Sequence, residues 1–146
     1  MELTELARLI TLVVGSLLLG SMVFFAAIVA PTVLSAGLGE HAGRLLRALF
    51  PRYYAWGMAL AVIATVAAFR IDGVAAIVLA VVTVLFVFLR QILLGYIHRA
   101  RQDHLAGDAG AGRRFKLLHL ASVLINLAQI VAVAAVIVRV GGLGLR

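Results

Sequence analysis

The chain has 146 residues, 64% of them hydrophobic and only 13% charged, with a mean hydropathy of +1.15. Those values exclude a water-soluble domain and describe an integral membrane protein. The lack of cysteine excludes disulfides, thiolate metal sites and cysteine nucleophiles. The net charge of +7 fits membrane orientation better than nucleic acid, because Lys and Arg stand at the ends of apolar stretches.

The apolar pattern predicts an all-α fold: one membrane domain over residues 1–146, a four-helix bundle with spans at about 6–30, 52–69, 74–97 and 114–138. Each approaches the roughly 20 residues that cross a bilayer. The first is too long for a signal-peptide core and reads as retained. Its Gly15, Ser16, Gly20 and Ser21 form a small-residue patch suited to close helix packing. Pro31 has no amide hydrogen, so a break or kink is expected at Ala30. Residues 38–50 separate Leu38, Ala42, Leu45, Leu46, Leu49 and Phe50 from Glu40, His41, Arg44 and Arg47. That is the pattern of a short interfacial amphipathic helix, with Glu40 and Arg44 paired one turn apart and Pro51 ending it. Tyr53, Tyr54 and Trp56 then fall at the start of the second span, where an aromatic belt at the membrane boundary is expected.

A tight turn at 70–73 makes the third span antiparallel to the second. That span is apolar except for Arg90, about 12 Å inside the helix counted from His98 at 1.5 Å per residue. A polar loop with Arg101, Asp103, His104 and Asp108 leads to the fourth span. There His119, Ser122, Asn126 and Gln129 are spaced to form one file on one helix face. Hydrocarbon offers such groups no hydrogen-bond partner, so the file is expected to face inward. Antiparallel register puts Arg90 level with Ser122, and Ser21 near the same depth.

Two functions compete for this layer. Its groups can be interhelical hydrogen bonds that fix the packing. Alternatively, Arg90, His119, Ser122, Asn126 and Gln129 line an intramembrane site that binds or moves a small anionic solute, with Arg101, Asp103 and Asp108 in the adjoining loop. Four helices enclose little volume, so a homo-oligomer is expected for an aqueous path. A further alternative is a divalent metal or haem held by His41, His98, His104 and His119, although no known ligand spacing is present; another is an accessory subunit for a partner's helix. No nucleophile stands beside a base and no phosphate loop precedes a helix, so an enzyme is not expected. Eight Lys and Arg residues lie in the loops after the first and third spans and four on the other side, including Arg146 near the glycine tail with Gly144. That bias places both termini outside the cytoplasm, in a bacterial inner membrane.

Several of these residues together give the chain a resemblance to the transmembrane protein 205-like family, also described as a domain of unknown function. They are Gly15-Ser16, Phe24-Phe25-Ala26, Pro31, Gly43 and Phe50-Pro51-Arg52-Tyr53-Tyr54, then Arg90, Arg101, Asp103 and Ala106-Gly107-Asp108. They continue as Arg114-Phe115, Leu118-His119, Ser122-Val123, Asn126 and Gln129. His98 stands where the family would lead one to expect asparagine. The resemblance implies a small four-helix membrane protein without an established activity.

Overall fold

The computed structural model describes residues 2–142 except for the side chain of Glu40. Gly144, Arg146 and the pairing of Glu40 with Arg44 therefore lie outside the described residues. The described chain is helical throughout, with four helices long and apolar enough to cross a membrane. The first occupies Leu3–Ser35 and the third Gly73–Leu105; the second is Glu40–Ala68 and the fourth Ala111–Gly142. At 33 residues the longest reach about 50 Å at 1.5 Å per residue. The hydrocarbon core is roughly 30 Å thick, so their ends project beyond it. Each helix packs on the one before it, and the fourth closes the ring against the first.

Pro51 does not end a helix. It lies inside the second one, so residues 38–50 are not a separate interfacial element; they supply that helix's first turns. In the interior of a helix a proline removes one backbone hydrogen bond and crowds the preceding turn, a cost that this helix bears. Pro31 also fails to stop its helix. A π turn at Phe25–Val29 precedes it, with the Ala30 amide donating to the Phe25 carbonyl, and the helix resumes over Ala30–Ser35. The wider turn takes up the steric demand of the proline ring.

A second π turn spans Leu89–Leu93, where the Leu94 amide donates to the Leu89 carbonyl. The extra residue lets Leu93 and Leu94 both face the interior, and the helix then runs on to Leu105, beyond its expected end at 97.

The core is tightest where the second and third helices meet. Ala61, Ala64, Ala68, Ala75, Ala76 and Leu79 are fully enclosed, and the Phe86 ring lies so close to Gly57 that a methyl group there would sit 2.6 Å from it. Gly15 is buried against Ile137 of the fourth helix, but nothing lies near Gly20 and Ser16 is exposed. The Ser16–Gly20 pair therefore makes no helix contact within the chain, contrary to the expectation from its spacing.

Polar contacts close the end of the bundle that carries the 69–72 turn. The Asp72 carboxylate accepts from the Val74 and Ala75 amides at 2.8 and 3.1 Å and from Arg139 Nε at 2.6 Å. The Ala75 amide, followed by Arg139, holds that carboxyl below the usual carboxylate range. Arg8 Nη2 donates to the Gly141 carbonyl at 3.1 Å, capping the last turn of the fourth helix.

Candidate functional site

At the opposite end, toward the two basic loops, the helices part around a cavity of about 490 Å³. Small-molecule sites typically occupy roughly 300–1,000 Å³. On the fourth helix the lining runs from Phe115 to Ile130, about 22 Å along the axis at 1.5 Å per residue. That equals roughly half of the 40–45 Å thickness of a bilayer with its headgroups, so the cavity is one leaflet deep.

Aromatic side chains from the first and second helices prop it open. The Phe25 and Tyr53 rings stack at 4.2 Å between centroids, Phe50 meets Phe25 edge-on at 5.3 Å, and Tyr53 and Tyr54 lie 5.3 Å apart. Tyr54 is only 2% exposed. These two tyrosines do not face outward as a boundary belt would: Tyr54 is buried and Tyr53 is half-buried, turned toward the other helices. Trp56 alone is exposed, and its Nε1 donates to Ser21 Oγ at 3.1 Å, which takes Ser21 out of the layer expected around Arg90.

The polar file of the fourth helix faces inward as its spacing predicts. Ser122 and Gln129 are buried, while Asn126 is half-buried and His119 exposed at the file's end. Tyr53 donates its hydroxyl to Asn126 Oδ1 at 2.8 Å. Ser122 donates to the His119 carbonyl at 2.7 Å and Asn126 Nδ2 to the Ser122 carbonyl at 3.2 Å. Gln129 Nε2 reaches across to the Val82 carbonyl at 3.0 Å, leaving its buried Oε1 without a partner among the described residues. His119, Ser122 and Asn126 line the cavity, but Gln129 does not; it is a bond between the fourth and third helices.

Arg90 is likewise absent from the lining. The Gln129–Val82 bond sets the two helices within one residue of the expected register, so the depth comparison with Ser122 holds. The half-buried Arg90 side chain nevertheless lies outside the cavity, its Nε buried without a hydrogen-bond partner among the described residues. The π turn at Leu89–Leu93 explains the discrepancy: the face that continues into the cavity is carried by Leu94, Ile97, His98 and Arg101.

The cavity's cations are Arg47 and Arg101, with His98 beside both. Arg101 lies over the bare backbone of Gly43, where a methyl group would overlap its guanidinium. Among the described residues no Asp or Glu lines the cavity and neither arginine has a carboxylate partner. Asp108 is engaged elsewhere, accepting from Arg114 Nη2 at 2.5 Å and from the Gly110 amide at 2.8 Å. Asp103 is exposed in the last turn of its helix. Of the four histidines, His98 and His119 share the cavity, His104 rests against Gly112 and His41 is exposed. Among the described residues no three His, Asp or Glu side chains come together as a metal site would require.

Arg47, Gly43, Phe25 and Tyr53 were not expected in a site. The recurrence of Gly43, Arg47, Phe50, Tyr54 and Gly57 every three or four residues straight through Pro51 is the signal that joins them to one helix face.

The sequence model of a family described as a domain of unknown function (DUF4149) matches residues 13–106. This covers the first helix from residue 13 and all of the second and third, and ends before the fourth. No curated protein and no solved structure matches the chain.

Proposed function

The chain belongs to the DUF4149 family, a domain of unknown function, and from that premise we propose that it is a non-enzymatic membrane protein that binds a small anionic solute in the cavity. Within that family the residue pattern fits the transmembrane protein 205-like members. One observation carries the reading: a cavity one leaflet deep has Arg47 and Arg101 on its lining and, among the described residues, no carboxylate. Uncompensated cations in a low-dielectric site favour an anion strongly, and guanidinium groups suit carboxylate, sulfonate or phosphate. Tyr53, Ser122, Asn126 and His119 supply neutral hydrogen-bonding groups below and beside them.

Binding, rather than passage, is the activity of this conformation, because the far half of the bundle is sealed by Ala61, Ala64, Leu79 and Phe86. Transport would require that half to open. A single bundle contains the whole cavity, so a second copy is not needed to build it. We place the cavity mouth on the cytoplasmic side of a bacterial inner membrane, with the termini outside; the excess of Lys and Arg toward that end of the bundle supports this.

Thermal unfolding of the purified protein in detergent tests the reading. Benzenesulfonate should raise the unfolding temperature and phenyltrimethylammonium, its cationic counterpart, should not; a ligand at about 100 times its Kd stabilises by roughly 2.7 kcal/mol. The rise should vanish in Arg101→Ala and persist in Arg90→Ala. Equal stabilisation of wild type and Arg101→Ala would refute the assignment. A visible absorption spectrum of the same sample addresses the haem alternative, for which a Soret band lost in His98→Ala would be required.

A further inference from the structure

We infer that the cavity takes a single acyl chain with an anionic head, admitted sideways from the bilayer between the first and fourth helices; this rests on the anion-binding reading above. Beyond its π turn the first helix leans on the second and separates from the fourth. Ala26 and Leu34 on one side of this gap and Val123 and Leu127 on the other all line the cavity, yet all four are exposed on the protein surface. Exposed lining on both sides of a gap where the two helices part marks an opening of the cavity through the wall of the bundle. In a bilayer that opening faces lipid tails.

The chemistry inside is graded along the same direction. Arg47 and Arg101 occupy the end near the loops, and the rest of the lining is mainly aromatic and aliphatic. A compact hydrated ion would lose its water against that surface without recovering equivalent contacts. An acyl chain suits it, because its methylenes meet apolar walls in the cavity as they do in the bilayer and lose no hydration on entry, and the depth of the cavity is that of one leaflet. The volume of about 490 Å³ accommodates one chain rather than a pair. Fatty acids and lysophospholipids share this chemistry.

Native mass spectrometry of the full chain in detergent, after incubation with defined amphiphiles, decides the matter. Palmitate, palmitoyl-lysophosphatidylglycerol or both should be retained at one equivalent, and which of them is retained identifies the source. Hexadecanol and hexadecyltrimethylammonium should be retained at least about tenfold less, the loss expected when one charge-assisted hydrogen bond is missing, and dipalmitoyl-phosphatidylglycerol, which keeps the anionic head, should be retained less because its second chain does not fit. Arg101→Ala should lose the anion to a similar degree, and Arg101→Lys should recover part of it. Ala26→Trp, which adds bulk in the gap between the first and fourth helices, should block retention of the chain.

Equal retention of the alcohol would overturn the anionic head, and equal retention of the two-chain lipid would overturn the single chain. Undiminished retention in a folded Ala26→Trp protein would overturn the sideways route. If no amphiphile is retained while benzenesulfonate still stabilises through Arg101, this inference fails and the anion-binding reading stands; loss of both responses removes both.

Discussion

The two halves of the bundle are built from the same four helices by opposite rules. Toward the 69–72 turn, alanines on the second and third helices let the backbones approach, and Phe86 fills the remaining space over Gly57. Toward the basic loops, Phe25, Phe50, Tyr53 and Tyr54 stand between the helices, and both π turns fall near the boundary between the halves. Small residues seal one end; large ones hold the other apart. The contrast indicates that the cavity is a designed separation rather than loose packing, because its walls are tied across by Tyr53 and Asn126.

Two glycines allow the sharpest test of the contrast. An added methyl at Gly57 would meet the Phe86 ring in the sealed half, and one at Gly43 would meet the Arg101 guanidinium in the open half. Gly57→Leu should have the largest effect of any change considered, since the buried ring has nowhere to go. Overpacking of this kind costs about 1–3 kcal/mol, measured as a lower unfolding temperature in detergent. A Gly57→Leu protein as stable as wild type would show that the sealed half is not tightly packed.

Tyr53→Phe comes next. It removes the tie between the second and fourth helices and leaves Asn126 Oδ1 unpaired, a loss of about 0.5–1.5 kcal/mol in the same measurement. Acidification should give a smaller effect at the sealed end. Asp72 has a depressed carboxyl pKa, so its stabilisation is complete above the unfolded-state value of about 3.9 and is lost as the pH falls through the lower folded-state value. Asp72→Asn should flatten that acid limb of the pH–stability curve, and an unchanged limb would assign it to other groups.

Gly43→Ala should cost least, within about 0.5 kcal/mol, because the end of a long arginine can move aside. It should nevertheless weaken the benzenesulfonate response by displacing Arg101. Comparable destabilisation by Gly43→Ala and Gly57→Ala would erase the distinction between the halves.

The number of helices and the inward face of the fourth were readable from hydropathy and from the spacing of Ser122, Asn126 and Gln129, because in a membrane the solvation of polar groups leaves few alternatives. The exact membership of the site was not. Pro51 is a strong local signal for a break, but the second helix runs through it, and Pro31 is met by a π turn just before it rather than by a stop. Carrying the second helix back through Pro51 moves Tyr53 from a supposed boundary to the interior and brings Gly43 and Arg47 into the site.

Arg90 misled for a related reason. Its depth was correctly placed, but depth does not fix the direction of a side chain, and a single extra residue in the π turn changes which face continues inward. Nothing in the composition of residues 89–93 announces such a turn. Arg101, which reads as a loop residue from its charged neighbours, gains its place in the cavity only because the third helix continues to Leu105.

The contacts at the sealed end also bear on how the molecule is made. Arg8 and Gly141 are separated by 133 positions and Asp72 and Arg139 by 67, yet each pair joins one side of the ring. A ribosome delivers residues in order, at roughly 5–20 per second, so the first three helices reach the bilayer several seconds before their last partners do. During that interval the Val82 carbonyl has no Gln129 to receive, and the flank that the fourth helix will cover is open to lipid. The nascent protein is therefore an incomplete ring that late synthesis fastens shut, and a chain halted before Arg139 would leave its clasp undone.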